Sequence, residues 1–344
     1  MTSAQWETLL ATLRGDAVRP LPVGFIIDSP WLPHWYGRTI GDYFTSDAVW
    51  LAANMKAVRE FPDILFLPGF WSEFGMCTEP SAFGARCTFP PDEFPHVHPL
   101  LRSAGDIDAL PEPDPRTDGL LPFVLNRLAL ARPAMEEAGH AVRFAVARGP
   151  LNIACHLMGT TEFLTLLMEE PERAEALLGK VTAFLSRWID AQREAFETID
   201  GILLLDDIIG FLGEPQFRRF ALPYFTALFA RDVTVRFLHN DAPCRVSAPH
   251  LAAMGVNLFN MGFDVPLAEL RALAGPGLTL MGNLPPRDVL ARCSAPEVAA
   301  AARSMVRALG STARILCSCG GGMPPDVTGE NIRAFAEAVR DAAH

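Results

Sequence analysis

The stretch "VTVRFLHNDAPC", residues 233–244, is an apolar, β-branched run that stops abruptly on His239, Asn240 and Asp241, ahead of Pro243 and Cys244. The run itself reads as a buried strand. Its ending is less ordinary, because a histidine and a carboxylate stand one residue apart where the strand turns into a loop. On a strand, residues i and i+2 point the same way. The pair therefore reads as two ligands of one metal ion, as a proton-handling site, or as a polar strand end.

Seven further runs share the pattern: 21–28, 63–69, 142–149, 199–207, 255–262, 277–283 and 313–321. Each is near-continuous in Val, Ile, Leu and Phe, as parallel strands covered on both faces are. Helical patterns lie between them, at 45–60, 121–139, 160–198 (broken near Pro171), 214–230, 266–274, 296–309 and 329–342. Strands alternating with helices imply right-handed crossovers and a parallel sheet. Eight such units predict an α/β fold of the closed (β/α)8 TIM-barrel type. A doubly wound sheet would carry a glycine-rich phosphate turn after an early strand, and "PGFWSEFG" does not match one. Residues 1–20 read as an N-terminal helical extension and 21–344 as the barrel domain. Residues 70–120, rich in Pro, Gly and aromatics with little helical period, read as a long lid loop after the second strand.

Barrel enzymes place their chemistry at the carboxyl ends of the strands. Those ends are Asp28, Gly69 with Trp71, Arg148, Asp206 with Asp207, His239 with Asp241, Asn260, Asn283, and Cys317 with Cys319. His239, Asp241, Asp206 and Asp207 are the candidate catalytic residues. Asp28, Arg148, Asn260 and Asn283, with Trp31, Tyr36 and Trp71 from the first two mouth loops, are the candidate contacts to a small-molecule substrate. His239, Asp241 and the thiolate of Cys319 make three protein ligands and one open position, the pattern of a catalytic zinc. Cys317 reads as a small buried apolar side chain. Cys77, Cys87, Cys155, Cys244 and Cys293 show no ligand spacing and read as inert.

The formal charge of −11 over 344 residues excludes a general nucleic-acid binder, which needs a basic face. No run of about 18 apolar residues is free of charge or proline, so no membrane span is expected. The start, "MTSAQWETLLATLRGD", has no basic segment leading into an apolar core, which argues against secretion. Seven scattered cysteines fit a reducing cytoplasm better than a disulfide framework.

Four motifs, in order, resemble the uroporphyrinogen decarboxylase superfamily: "ARGPLNIACHLMGTTEFLTLLMEEPE" (147–172), "EPQFRRFALPYF" (214–225), "MGNLPPRDVL" (281–290) and "CGGGMPPDVTGENIRAFAEA" (319–338). The resemblance runs from about Pro22 onward and implies a (β/α)8 barrel. It also implies one of two chemistries: cofactor-free decarboxylation of uroporphyrinogen, or zinc-dependent methyl transfer between a corrinoid protein and a thiol. The decarboxylases carry an arginine-rich segment near the first strand, whereas here "VGFIIDSPWLPHWYGR" offers only Arg38. The methyltransferases carry His-x-Cys after one strand and a cysteine after the last. Here the first element is His239-x-Asp241, and the "MPP" anchor puts Gly321 at the family's cysteine position, two residues past Cys319. The resemblance thus implies a methyltransferase-like enzyme with zinc, a corrinoid on a separate protein, and a homo-oligomer, often a dimer. The alternatives are a cofactor-free decarboxylase or lyase on a small acid, and a non-enzymatic ligand-binding barrel.

Overall fold

The computed structural model describes residues 1–342. Eight parallel strands follow the sequence runs: β1 Gly24–Ile26, β2 Leu65–Leu67, β3 Phe144–Arg148, β4 Gly201–Leu205, β5 Val235–Asn240, β6 Leu258–Met261, β7 Thr279–Leu284 and β8 Ile315–Cys319. Strands β3 to β8 pair in chain order, and β1 pairs with β2. A parallel bridge from Val23 to Cys317 joins β1 to β8. The eight strands thus form one continuous round, with a seam between β2 and β3. The chain start lies in that seam: Thr2 bridges to His140, and Met1 donates its amine to Ala141 O at 2.9 Å. The fold is of the TIM-barrel type. Among the described residues no single helix is long and apolar enough to cross a membrane.

The sequence explains the helix breaks. Pro171 starts the helix Pro171–Ala195 and cannot continue the one before it, Thr160–Glu169. The first helix, Ser3–Arg14, opens with a capping box in which the Thr2 hydroxyl accepts from Gln5 N and the Gln5 side chain accepts from Thr2 N. Its buried face plugs the amino end of the barrel. Trp6 meets Phe144 edge-on at 5.6 Å between ring centroids, and Arg314, just ahead of β8, donates to Leu13 O.

One interior cluster gathers Ile26, Leu65, Leu67, Phe144, Leu203, Phe237, Leu258, Met281 and Leu316 around that plug. Their chain neighbours Phe25, Phe66, Ala145, Leu204, Leu238 and Cys317 belong instead to the cluster between sheet and helices. The two-residue period of a strand therefore fixes what each strand end shows to the mouth. On the inward parity stand Asp28, Arg148, Asp207, His239, Asp241, Asn260 and Ser318. On the outward parity stand Asp206, Cys317 and Cys319.

Candidate active site

His239 sits at the centre of the mouth, 7% exposed. Asn260, on the neighbouring strand, spends its amide on Met281 O at 2.7 Å and Cys319 O at 3.4 Å. Its Oδ1 is left to accept from His239 Nδ1 at 2.8 Å. That bond fixes the proton on Nδ1 and turns Nε2 toward Asp241 Oδ2, 3.6 Å away. Asp207 holds Asp241 in place by accepting its backbone N–H at 2.6 Å. Burial disfavours charge on His239, but Asp241 and then Asp207 more than offset it and hold the imidazole above its ordinary value. Burial and the Asp207 charge raise the Asp241 carboxyl, while His239 and the Gly322 N–H pull it down.

Asp28 lies across the mouth. Burial first, then the charges of Glu73 and Asp241, push its carboxyl well above the usual range. Its Oδ1 is buried with no hydrogen-bond partner. The three glycines after Cys319 make room for these acids. A Cβ on Gly321 would fall 2.0 Å from Asp241 Oδ1, and one on Gly322 would fall 2.7 Å from Asp28 Oδ2. Gly321 also has φ +85°, a conformation that glycine adopts without a Cβ clash.

Arg148 is committed elsewhere. Its guanidinium, 8% exposed, meets Glu73 at 2.8 Å and Glu79 at 3.3 Å. Its Nε contacts Met76 Sδ at 3.4 Å, and its backbone N–H also goes to Glu79, at 3.0 Å. Burial opposes the guanidinium charge, but Glu79 and Glu73 more than restore it. Nearby His156 is pushed down to about 4 by burial and then by Arg148, so it stays neutral. Glu73 and Glu79 escaped the sequence reading because they lie in the aperiodic "WSEFGMCTEP" segment, not at a strand end.

Several expectations need correction. Asp206 is not a catalytic residue by its geometry. It faces the helix layer, and its Oδ2 accepts from Leu151 N at 2.9 Å and Asn152 N at 3.1 Å. Its Oδ1 accepts from Ile208 N at 3.1 Å. It therefore caps the helix Pro150–Met158, which follows the preceding strand and was not foreseen. A Cβ on Gly149 would collide with the Asp206 carboxylate at 2.3 Å, which accounts for the glycine. Trp31 is fully buried between sheet and helices, stacked on Phe66 at 5.9 Å, with its indole N–H on Val327 O at 2.9 Å. Tyr36 lies in the same outer layer, beneath the Lys56 ammonium. Trp71 packs in the barrel interior. These three form no aromatic cage at the mouth. Asn283 ties down the loop after β6 through Gly262 O and Val265 O and borders an outer groove with Pro266 and Met305.

The zinc set also departs from expectation. Cys319 is fully buried on the outward parity, with its thiol on Gly321 O at 3.4 Å. Burial, then the charges of Asp241 and Asp28, push that thiol far up. A thiolate there is opposed, and the sulfur does not face the cavity. Among the described residues no group of three or more His, Cys, Asp or Glu is arranged to hold a metal ion. His239, Asp241 and Cys319 do not fit a three-ligand centre in this arrangement.

The comparisons with known proteins agree with the architecture. The uroporphyrinogen decarboxylase (URO-D) family profile matches residues 5–342. The uroporphyrinogen decarboxylase of Magnetococcus marinus is 25% identical over 302 residues, 84% of this chain and 79% of that protein. That of Myxococcus xanthus is 28% identical over 258 residues, 72% of this chain and 71% of that protein. Among solved structures, a methyltransferase from Methanosarcina mazei superposes with a TM-score of 0.82 at 18% identity, covering 98% of both chains. A B12-independent methionine synthase from Shewanella sp. W3-18-1 follows at TM-score 0.57 and 11% identity, covering 94% of this chain and 96% of that one. With a strand-by-strand barrel and a family profile spanning nearly the whole chain, this protein belongs to the uroporphyrinogen decarboxylase (URO-D) family.

Proposed function

We propose that the chain is a methyltransferase-like enzyme of this family, moving a methyl group between a small neutral or cationic molecule, such as a thiol or a methylated amine, and a corrinoid held by a separate protein. The observation that carries the reading is the charge at the mouth. Among the described residues, the one arginine at a strand end, Arg148, is consumed by Glu73 and Glu79. Asp207 and Asp241 remain beside His239. Among the described residues, a substrate with many carboxylates meets no unpaired arginine or lysine at the strand ends themselves, and like charges in a buried site repel strongly. The likeness to the Methanosarcina mazei methyltransferase supports the same direction. So does an apolar rim suited to a protein partner: Met76, Phe211 and Phe263 follow strand ends on the mouth side and are 40%, 63% and 52% exposed.

In this reading His239 Nε2 takes the thiol proton as the sulfur attacks the methyl group, and the bond from that carbon to its former carrier breaks with its electron pair left on the carrier. Asp241 stabilises the imidazolium that results, and Asn260 keeps the ring in the productive tautomer. The test uses methylcobalamin as a free stand-in for the protein-bound corrinoid, with a panel of small thiols, followed by its visible absorbance. The wild-type protein should consume methylcobalamin in a thiol-dependent way, and His239→Ala should be slower by about 10²–10⁴-fold. Consumption no faster than in the protein-free control defeats the proposal.

A second reading rests on the His239–Asp241 pair itself. A histidine of fixed tautomer beside a carboxylate, with no third donor, suits cofactor-free proton transfer in a lyase or decarboxylase acting on a small acid. Zinc content separates the two readings in part. With the thiol of Cys319 turned away, Cys319→Ser should leave zinc per chain unchanged from the wild-type value. Stoichiometric zinc that disappears in Cys319→Ser would show that the 319–322 loop turns inward to complete a metal centre, and would restore the family's chemistry in full.

A further inference from the structure

Asp28 stands at the mouth without a part in the His239 chemistry. It follows β1 on the inward parity and is partly exposed, yet its Oδ1 is buried and, among the described residues, has no hydrogen-bond partner. Its surroundings supply more acid, not a counter-charge. Ser29, the next residue, donates its hydroxyl to Glu73 Oε1 at 2.6 Å, and the other oxygen of Glu73 is taken by Arg148 at 2.8 Å. Asp241 closes on the same glycine turn as Asp28. Added Cβ atoms on the consecutive residues Gly321 and Gly322 would meet Asp241 Oδ1 at 2.0 Å and Asp28 Oδ2 at 2.7 Å. The floor is of the opposite character. Val146 and Leu205 point inward from β3 and β4 but stay partly exposed, whereas the inward Leu203, Leu258 and Leu316 are wholly covered. Open space therefore lies over those two side chains, and Leu205 pairs in register with His239. Ser318 points inward from β8, wholly buried, and its Oγ also lacks a partner. Acids without a counter-charge and unmade hydrogen bonds thus border an apolar floor. Each is unfavourable when left alone, and one kind of ligand answers all of them.

We infer that the mouth binds a small protonated methylamine, with its N–H⁺ on the Asp28 carboxyl and its methyl groups against Val146 and Leu205. The inference deepens the methyl-transfer reading and rests on it only for the choice of a methylated ligand. The surroundings narrow the cation further. A quaternary ammonium has no N–H for the unpartnered oxygen. It also finds no aromatic cage, because Trp31, Tyr36 and Trp71 pack elsewhere. An unmethylated ammonium ion leaves the apolar floor uncovered. A neutral ligand leaves the acids uncompensated. Burial, then Glu73 and Asp241, hold the free Asp28 carboxyl above its usual range, and a bound cation reverses that balance in favour of the carboxylate. His239 does not compete for the same role, since Asp241 and Asp207 already answer its charge.

The experiment is calorimetric titration of the full chain at neutral pH with three probes of similar size: trimethylammonium, tetramethylammonium and tert-butanol. No corrinoid or thiol is present, so the result stands or falls apart from methylcobalamin consumption. Trimethylammonium should bind. Tetramethylammonium, a cation without an N–H, and tert-butanol, a donor without a charge, should each bind more weakly by about tenfold or more, the loss expected for one charge-assisted hydrogen bond. Asp28→Asn should weaken trimethylammonium by at least the same factor. The formal charge of −11 attracts any cation loosely, and both tetramethylammonium and the Asp28→Asn protein control for that. No heat from trimethylammonium at millimolar concentration overturns the inference. So does equal binding of either other probe, or unchanged trimethylammonium binding in Asp28→Asn. If that variant fails to fold, the three probes on the wild-type protein still decide the matter.

Discussion

Two basic side chains stand at the mouth of this barrel, and each has two carboxylates beside it. Arg148 meets Glu73 and Glu79 at 2.8 and 3.3 Å, and all three side chains are under a tenth exposed. His239 faces Asp241 at 3.6 Å, with Asp207 behind, and the Asp241 side chain is 49% exposed. The first group is saturated: every face of the guanidinium has a partner, and nothing is left for a ligand. The second is open: Nε2 has only a long contact, and its carboxylate reaches solvent. The difference separates a cluster with no hydrogen bond left for a ligand from one that can still take a ligand. Saturation marks the scaffold, and a deficit of one hydrogen bond marks the reactive group.

The sharpest way to break that contrast is to remove the saturated cation. Arg148→Met leaves Glu73 and Glu79 buried without a counter-charge, a loss of about 3–5 kcal/mol in unfolding free energy. Urea denaturation reads this directly. Adding Glu73→Gln and Glu79→Gln to the same chain should recover most of the loss, because neutral amides carry no stranded charge. If Arg148→Met unfolds at the parent's urea midpoint, the cluster is not the scaffold described here.

A smaller effect tests the open side. Gly321→Ala asks an L residue to adopt φ +85° and places a methyl 2.0 Å from Asp241 Oδ1. The backbone cost is about 1–2 kcal/mol, and Asp241 must move. Turnover should therefore fall toward that of Asp241→Ala while thermal unfolding shifts only modestly. A Gly321→Ala protein with parental turnover would mean that Asp241 need not sit where it does.

The barrel was legible because its signal is redundant. Each of the eight runs combines β-branched composition, length and flanking helical period, and Pro171 broke its helix where the chain geometry demands. The site was legible only where a strand end happened to carry it: His239, Asp241, Asp207, Asn260 and Asp28. What failed was parity. Leu203 and Leu205 face inward, which sends Asp207 to the mouth and Asp206 to the helix layer. Leu316 faces inward, which sends Ser318 to the mouth and Cys319 away from it. In a strand covered on both faces both parities are apolar, so the sequence alone does not say which is which. Glu73 and Glu79 were illegible for another reason. They belong to a loop without period, where only tertiary contacts bring residues together.

The smallest expected effect concerns Asp28, which belongs to neither cation. Glu73 faces it from one side and Asp241 from the other, and both are acids. Its Oδ1 has no partner. The unfolded carboxyl titrates near 3.8, and the folded one well above that. Between those two values the native state keeps a proton that the unfolded chain has released. Stability is therefore lost as pH rises through that window. Asp28→Asn keeps the shape but cannot ionise. Its Tm should match the parent's below pH 3.8, exceed it increasingly as pH rises, and level off once pH passes the folded value. Parallel melting of the two proteins across that range checks this. A variant less stable at neutral pH than at acid pH, relative to the parent, would mean that Asp28 is held ionised by a partner absent from this mouth.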